Sequence, residues 1–289
     1  YRKVVDTLRI SWLNTHLIAE RLFWPPRWLT PTPRNTWQAQ HRGSLWGWKL
    51  WLWLLGWAGP RVTQTALLPV IAFYWLILSG AQYAGLQGYL RRRFPNAGPL
   101  ALASKRFWVL RNFANSLVDR FYLAAHGPDA FPFDRSAMAD FQSTIAATDQ
   151  GILLISGHLG NPDFASAAFR RVRRKVHLLL YQAPTDPYFR LLEERGFAPS
   201  VITLNHKGGF AAVEAVRMLR SGEVVALKAD RVVDGRTATV RLLNENVELP
   251  TGPFLLAALS GVPVLITSCF RTAAGYRFES VGPKVYRFT

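Results

Sequence analysis

The chain has 289 residues, enough to bury a sizeable core in one large domain or two modest ones. Its composition, 49% hydrophobic and 18% charged, excludes a disordered chain and is more apolar than that of a typical water-soluble enzyme. Thirty-five basic against 18 acidic side chains give a net charge of +17, a field that attracts anionic lipid, nucleic acid or an acidic protein, and the single Cys269 excludes an intramolecular disulfide and suits a reducing compartment.

The first residue is Tyr1, and Thr289 closes the sequence within what reads as a strand, the pattern expected of a piece of a longer polypeptide. The lack of a signal peptide therefore carries no weight. Over residues 1–44, Trp12, Trp24 and Trp28 mix with Pro25, Pro26, Pro31 and Pro33, which predicts a short helix and an irregular connector. From Leu45 to Leu78 two apolar pieces, each shorter than the roughly 20 residues of a perpendicular span, flank Arg61 and a polar Thr-Gln-Thr. Trp46, Trp48, Trp51, Trp53 and Trp57 suit the headgroup level of a bilayer, so membrane contact is preferred over a helical hairpin buried in the core. Arg91, Arg92 and Arg93 follow, placed to meet anionic headgroups or to solvate a helix end. Residues 100–125 carry apolar groups at three- and four-residue spacing, the mark of an amphipathic helix, which Gly127 and Pro128 end.

After residue 150 short apolar runs alternate with helical stretches. Strands are predicted at 151–156, 176–181, 200–204, 223–228 and 262–270, and helices at 163–172, 187–195, 209–220 and 253–260. This pattern predicts an α/β fold, a largely parallel sheet flanked by helices, with its working site outside the carboxyl ends of the strands.

The loop after the first of these strands reads Gly157-His158-Leu159-Gly160-Asn161-Pro162-Asp163. Asn161 is a favoured N-cap, Pro162 a favoured first helical residue, and Asp163 falls in the first turn, where the helix dipole favours negative charge. On one continuous helix His158 and Asp163 would lie about 140° apart. With the histidine in the loop and the acid in the first turn, the chain can fold back so that Asp163 accepts an imidazole N–H while the other nitrogen serves as a base. Gly157 and Gly160 let the loop bend and let a substrate approach. The more ordinary reading of a single loop histidine is structural; its setting after a buried strand and before a capped, acid-bearing helix favours catalysis.

At these residues the chain resembles the lysophospholipid acyltransferase superfamily, whose signature is H-x4-D or H-x4-E, here His158 and Asp163. The string GHLGN is most similar to the branch containing the lipid A biosynthesis lauroyl and myristoyl acyltransferases, and the likeness extends from the WQAQHRGS segment over most of residues 37–289. The resemblance implies a glycerolipid acyltransferase-like domain over 37–289, with 1–36 as a connector or the end of a preceding segment. It implies an O-acyltransferase that moves a fatty acyl group from acyl carrier protein or coenzyme A to a hydroxyl of a lipid-like acceptor, with that thioester as co-substrate and no other cofactor. Membrane lipids and acyl carrier protein are the implied partners, and the cytoplasmic face of a bacterial inner membrane the implied location. Asp230 and Arg231, after the strand EVVALK, look like the family's acidic-basic block and would line the cleft, the arginine polarising the thioester oxygen or binding a phosphate; a structural ion pair is the plainer reading. Pro250-Thr251-Gly252-Pro253 opens a helix that ends before Gly261, as in that branch. Pro162 and Asp163 stand where the branch usually has an aromatic residue and a glutamate, so the acceptor does not carry over.

Further candidates for substrate contact are Gly160, Asn161, Tyr181 and Gln182 in loops on the proposed catalytic side. The basic run Arg170, Arg171, Arg173, Arg174 and Lys175 could hold an acidic carrier or an acceptor phosphate, although such runs are more often solvated faces. His206, Lys207, Gly208 and Gly209 complete no phosphate-loop motif and read as a turn. Cys269, inside an apolar strand, reads as buried and inert.

No H-E-x-x-H, paired C-x-x-C or histidine cluster points to a metal, and no G-x-S-x-G frames a serine nucleophile. A basic membrane- or nucleic-acid-binding protein without catalysis is the non-enzyme alternative. Nucleic acid is disfavoured, because the tryptophans concentrate in an apolar stretch rather than alternating with basic groups.

Overall fold

A computed structural model describes residues 45–77, 80–134, 136–164, 174–180, 193–194, 200–204, 209–232 and 236–287. The chain divides into two compact units: Ala72–Phe107 belongs to one, and Gln40–Ile71 with Trp108–Thr289 forms the other. The sequence reading had not drawn that division.

The described residues begin with α1 (Leu45–Ala66), followed by α2 (Leu68–Ile77), α3 (Gly80–Arg93) and the long α4 (Pro99–His126). Helix α1 is broken at Gly59 (φ 75°, ψ 178°), followed by Pro60, whose ring cannot continue a helix without losing a backbone hydrogen bond. No described helix is long and apolar enough to cross a membrane. Within the smaller unit, Trp75 Nε1 donates to the Ala103 carbonyl at 2.9 Å, and the Arg106 guanidinium lies over the Trp75 and Tyr83 rings. Arg91, Arg92 and Arg93 form the exposed last turn of α3, where their charge complements the helix dipole.

The larger unit is α/β. After α4 come β1 (Phe133–Asp134), α5 (Ser136–Ala146), β2 (Ile152–Ser156), β3 (Val176–Leu180), β4 (Ser200–Thr203), α6 (Gly209–Arg220), β5 (Val224–Lys228), β6 (Thr237–Leu242), β7 (Glu245–Pro250), α7 (Gly252–Ser260), β8 (Pro263–Thr272) and β9 (Gly275–Val285). Seven strands form one sheet in the order β1-β9-β8-β2-β5-β3-β4, and β6 pairs only with β7. Strands β8, β2, β5, β3 and β4 run parallel; β9 returns antiparallel to β8, and β1 runs alongside β9.

Alternation along the strands builds two cores. Ile152, Leu154, Val224, Ala226 and Leu265 pack with Phe141 of α5, Leu123 of α4, Phe164 and Tyr276. Leu153, Ile155, Val225, Leu227 and Val264 pack on the other face with Ala211, Ala215 and Leu219 of α6 and Leu256 and Ala257 of α7. Helices cover both faces of β2, whose residues Ile152–Ile155 are all buried, as an apolar run in a parallel sheet requires.

The five strands expected from apolar runs are all present within two residues at either end, as are the helices over 100–125, 209–220 and 253–260. The predicted helix at 163–172 is described only through Phe164, and that at 187–195 only at 193–194. Strand β9 ends at Val285, short of Thr289, so the strand expected at the end of the sequence stops earlier.

Candidate functional site

Strands β2 and β5 are nearest neighbours, parallel, with Ser156 opposite Lys228. His158 and Asp230 each stand two residues beyond that last pair, and the register brings them together at the carboxyl end of the sheet. His158 Nδ1 lies 2.8 Å from Asp230 Oδ1 and 3.1 Å from Oδ2, and the His158 main-chain N–H donates to Oδ2 at 2.7 Å. With the ring proton on Nδ1 and donated to Asp230, Nε2 is left as an acceptor. Both side chains are a little over a third exposed, so the pair is open to an incoming molecule. A Cβ at Gly157 would sit 3.4 Å from the Asp230 carboxylate, so that glycine lies directly against it.

Burial would raise the Asp230 pKa, but the hydrogen bonds from the His158 ring and backbone, with the positive charge the ring can carry, outweigh it and hold the carboxyl at about 2. Asp230 is therefore ionised at neutral pH.

The carboxylate that orients His158 Nδ1 is thus Asp230, and the orienting role expected of Asp163 is corrected on this point. Asp163 lies within 3.0 Å of Arg120 Nε, a residue of α4. The physical reason is sheet order. Hydrogen-bonded strands set Asp230 opposite His158, whereas the first helical turn directs Asp163 toward α4.

The turn itself is built as its sequence predicts. Asn161 Oδ1 accepts the Asp163 N–H at 3.3 Å, an N-cap, with Pro162 as the first helical residue. Gly160, at φ 74°, pairs with Cys269, and the Asn161 N–H donates to the Cys269 carbonyl at 2.7 Å. A Cβ at Gly160 would stand 2.2 Å from that carbonyl oxygen, so only glycine lets the loop close on β8. Asn161 is 3% exposed and serves the scaffold rather than a substrate: its Nδ2 donates to the Ser116 carbonyl at 3.3 Å and to Tyr276 Oη at 3.4 Å. Tyr276 stacks on Phe164 at 3.6 Å between centroids and donates its hydroxyl to Asp119 at 2.5 Å. The fully buried Asp119 also accepts from Gln64 at 2.5 Å and faces Arg271 at 3.3 Å. Burial raises the Asp119 pKa against the pull of Tyr276, Arg271 and Gln64, and burial with the adjacent Asp119 raises that of Tyr276.

Lys228, at the end of β5, keeps a solvent-open face. Crowding by protein nevertheless lowers the pKa of its ammonium; Asp163 and Asp230 pull it up, and Arg120 and Arg231 push it down. Arg231 and Val232 are exposed beside the pair, and Leu159 is 66% exposed next to His158.

Tyr181, Gln182, Arg170, Arg171, Arg173, His206, Lys207 and Gly208 lie outside the described residues. Of the basic run, Arg174 donates to the carbonyls of Thr148 and, at 2.6 Å, Gln150, at the amino end of the sheet; it holds a loop far along the strands from His158. Cys269 is buried and its thiol pKa is pushed up to about 12 by burial, which makes it unreactive near neutrality. Sequence reasoning missed Asp119, Arg120, Lys228 and Tyr276. A charged Asp119 on the same helical stripe as apolar Val118 and Tyr122 was the one local signal available.

Fold and pair together define an α/β protein whose candidate site is an exposed imidazole–carboxylate pair at the carboxyl end of a parallel sheet. No protein-family model matches the chain, and no curated protein matches it.

Proposed function

We propose that the protein is an O-acyltransferase of the glycerolipid acyltransferase-like kind, with His158 as general base and Asp230 as the acid that orients it. The observation that carries this reading is the 2.8 Å contact between His158 Nδ1 and Asp230 in a pair a little over a third exposed, a contact that does not engage Nε2. A neutral imidazole in that tautomer takes the proton of an acceptor hydroxyl as the oxygen attacks the carbonyl carbon of an acyl-thioester. The carbon–sulfur bond then breaks, and the imidazolium returns the proton to the leaving thiolate, so an ester and a free thiol are formed. Asp230, ionised throughout, stabilises the imidazolium. Lys228, close enough to Asp230 and Arg231 for their charges to act on it, is the cation assigned to the developing oxyanion in this scheme. Asp163, carried over from the H-x4-D resemblance, acts in this scheme through Arg120 as part of the frame that holds the turn.

The acyl donor is acyl carrier protein or coenzyme A, and the acceptor is a lipid-like alcohol drawn from the cytoplasmic face of a bacterial inner membrane. Contact with that membrane is supported by α1, which turns Leu50, Trp53, Trp57 and Val62 to the outside while Leu55 packs against Val118, Phe121 and Ala124. Trp53 and Trp57 stack at 5.9 Å, a paired aromatic face suited to headgroup depth. The test is transfer of labelled acyl groups from both thioesters to extracted membrane lipid. His158→Ala is expected to lower turnover by about 10³-fold or more, given the usual contribution of a positioned base. Unchanged turnover in that variant ends the reading.

A further inference from the structure

We propose that the β6–β7 ribbon is a second lipid-binding element, one that seats the mouth of the His158–Asp230 site on an anionic bilayer. The proposal deepens the acyl-transfer reading, from which it takes the expectation that the acceptor comes out of a membrane. The ribbon is amphipathic by its register. Ala238 faces Leu249, Val240 faces Val247 and Leu242 faces Glu245, so that five apolar side chains share one side; Thr237, Thr239, Arg241, Asn246 and Glu248 share the other. Leu243 and Asn244, at φ 52° and 65°, make the tight turn between the strands.

The apolar side is open along β6 and partly covered along β7. Every residue of β6 is exposed, Leu242 at 53%, Val247 and Leu249 of β7 are half-buried, and among the described residues the extensive packing partner of each strand is the other. A two-stranded ribbon alone in water is marginally stable, and an open apolar face calls for an occupant. The position of the ribbon connects it to the site. It follows Asp230 and Arg231 directly, and Thr251 clamps its base by donating both its N–H and its hydroxyl to the Arg236 carbonyl at 3.0 Å. At the site itself Leu159 and Val232, next in sequence to His158 and Arg231, are exposed apolar side chains.

The occupant follows from charge. Exposed Arg231 and Arg236 precede the ribbon, Arg241 on its polar side is accompanied by Glu248 with Glu245 beside Leu242, and the chain as a whole carries a net charge of +17. A second copy would bring the same positive field and be repelled, whereas a bilayer with anionic headgroups offers both an apolar layer and the opposite charge.

The test uses the full chain with an environment-sensitive nitrobenzoxadiazole fluorophore attached through Leu242→Cys on the apolar side or Asn246→Cys on the polar side. The buried native Cys269 stays unlabelled. On vesicles of phosphatidylcholine with phosphatidylglycerol, the label at 242 is expected to brighten several-fold and shift to the blue, while the label at 246 stays water-like. Phosphatidylcholine alone should give a much weaker response. A water-like signal at both positions overturns the proposal, as does equal insertion of both, and so does a response at 242 only to an acidic carrier protein. In parallel, Val240→Asp with Leu242→Asp should lower vesicle binding several-fold with the circular dichroism of the wild type retained. Acyl transfer is read separately. Selective insertion at 242 without any acyl transfer removes the proposed function and leaves the lipid-binding ribbon standing; acyl transfer without insertion does the reverse.

Discussion

Asp230 pays a burial penalty and still titrates far below an ordinary carboxyl, because three hydrogen bonds from His158 favour its charged form. The sign of its linkage to stability follows. A folded-state value of about 2 lies below the unfolded value of about 3.9, so this carboxylate stabilises the fold above the latter, and the contribution is lost as the pH falls through the former. Asp230→Asn should flatten the acid side of a stability–pH curve between those values, measured by urea unfolding, while leaving the curve at neutral pH nearly parallel to that of the wild type. An unaltered acid limb would mean that the carboxylate is not held by His158. The same substitution should lower acyl transfer by about 10²- to 10⁴-fold, since the imidazole would be left in the wrong tautomer.

At the scale of elements, the loop after β2 is gripped from several sides. Gly160 is joined to Cys269 on β8, Asn161 is bound by Ser116 and Tyr276, and Phe164 stacks on Tyr276. Tyr276→Phe keeps the stack but leaves buried Asp119 short of a donor, and a loss of about 1 to 3 kcal/mol in unfolding free energy is expected. If stability is unchanged, the Tyr276–Asp119 bond is not part of the frame. A second staple sits at the amino ends of the strands: buried His177 on β3 reaches Ser200 on β4 at 2.9 Å and Glu223, just before β5, at 2.6 Å. His177→Ala should cost about 2 to 3 kcal/mol in chemical denaturation, with acyl transfer per folded molecule unaltered. The five parallel strands could be read from the sequence because each is a short apolar run with polar, Gly or Pro residues at its ends. The ribbon went unread although Thr237–Leu242 alternates polar and apolar residues, because its strands bury little and no continuous apolar run marks them. The identity of the acid on His158 was illegible for a different reason. Asp163 is near in sequence, but the neighbour of β2 is set by long-range sheet order, with β5 inserted between β2 and β3 after β4 has formed the edge. Asp230 was a candidate lining residue through the resemblance of Asp230-Arg231 to the family's acidic-basic block; its pairing with His158 needed the register.

For the whole molecule, net charge and apolar surface act together. In the proposed membrane contact, electrostatic attraction acts between a +17 chain and anionic lipid, and exposed Trp53 and Trp57 on α1 are the apolar area offered. Binding to vesicles containing phosphatidylglycerol should weaken as salt rises, and Trp53→Ser with Trp57→Ser should lower it by about tenfold or more at fixed salt. Co-sedimentation measures both, and salt-independent binding or an unaffected double variant would remove α1 from the contact surface. Within the α/β unit the His158–Asp230 pair, and with it the proposed chemistry, rests on one parallel register, that of β2 on β5.

The most direct measurement of that claim compares Asp230→Asn with Asp163→Asn in acyl transfer from a labelled thioester to membrane lipid, at equal amounts of folded protein. Loss should be far deeper for Asp230→Asn, with kcat falling and KM little changed. Full turnover in Asp230→Asn, with activity lost only in Asp163→Asn, would contradict the account.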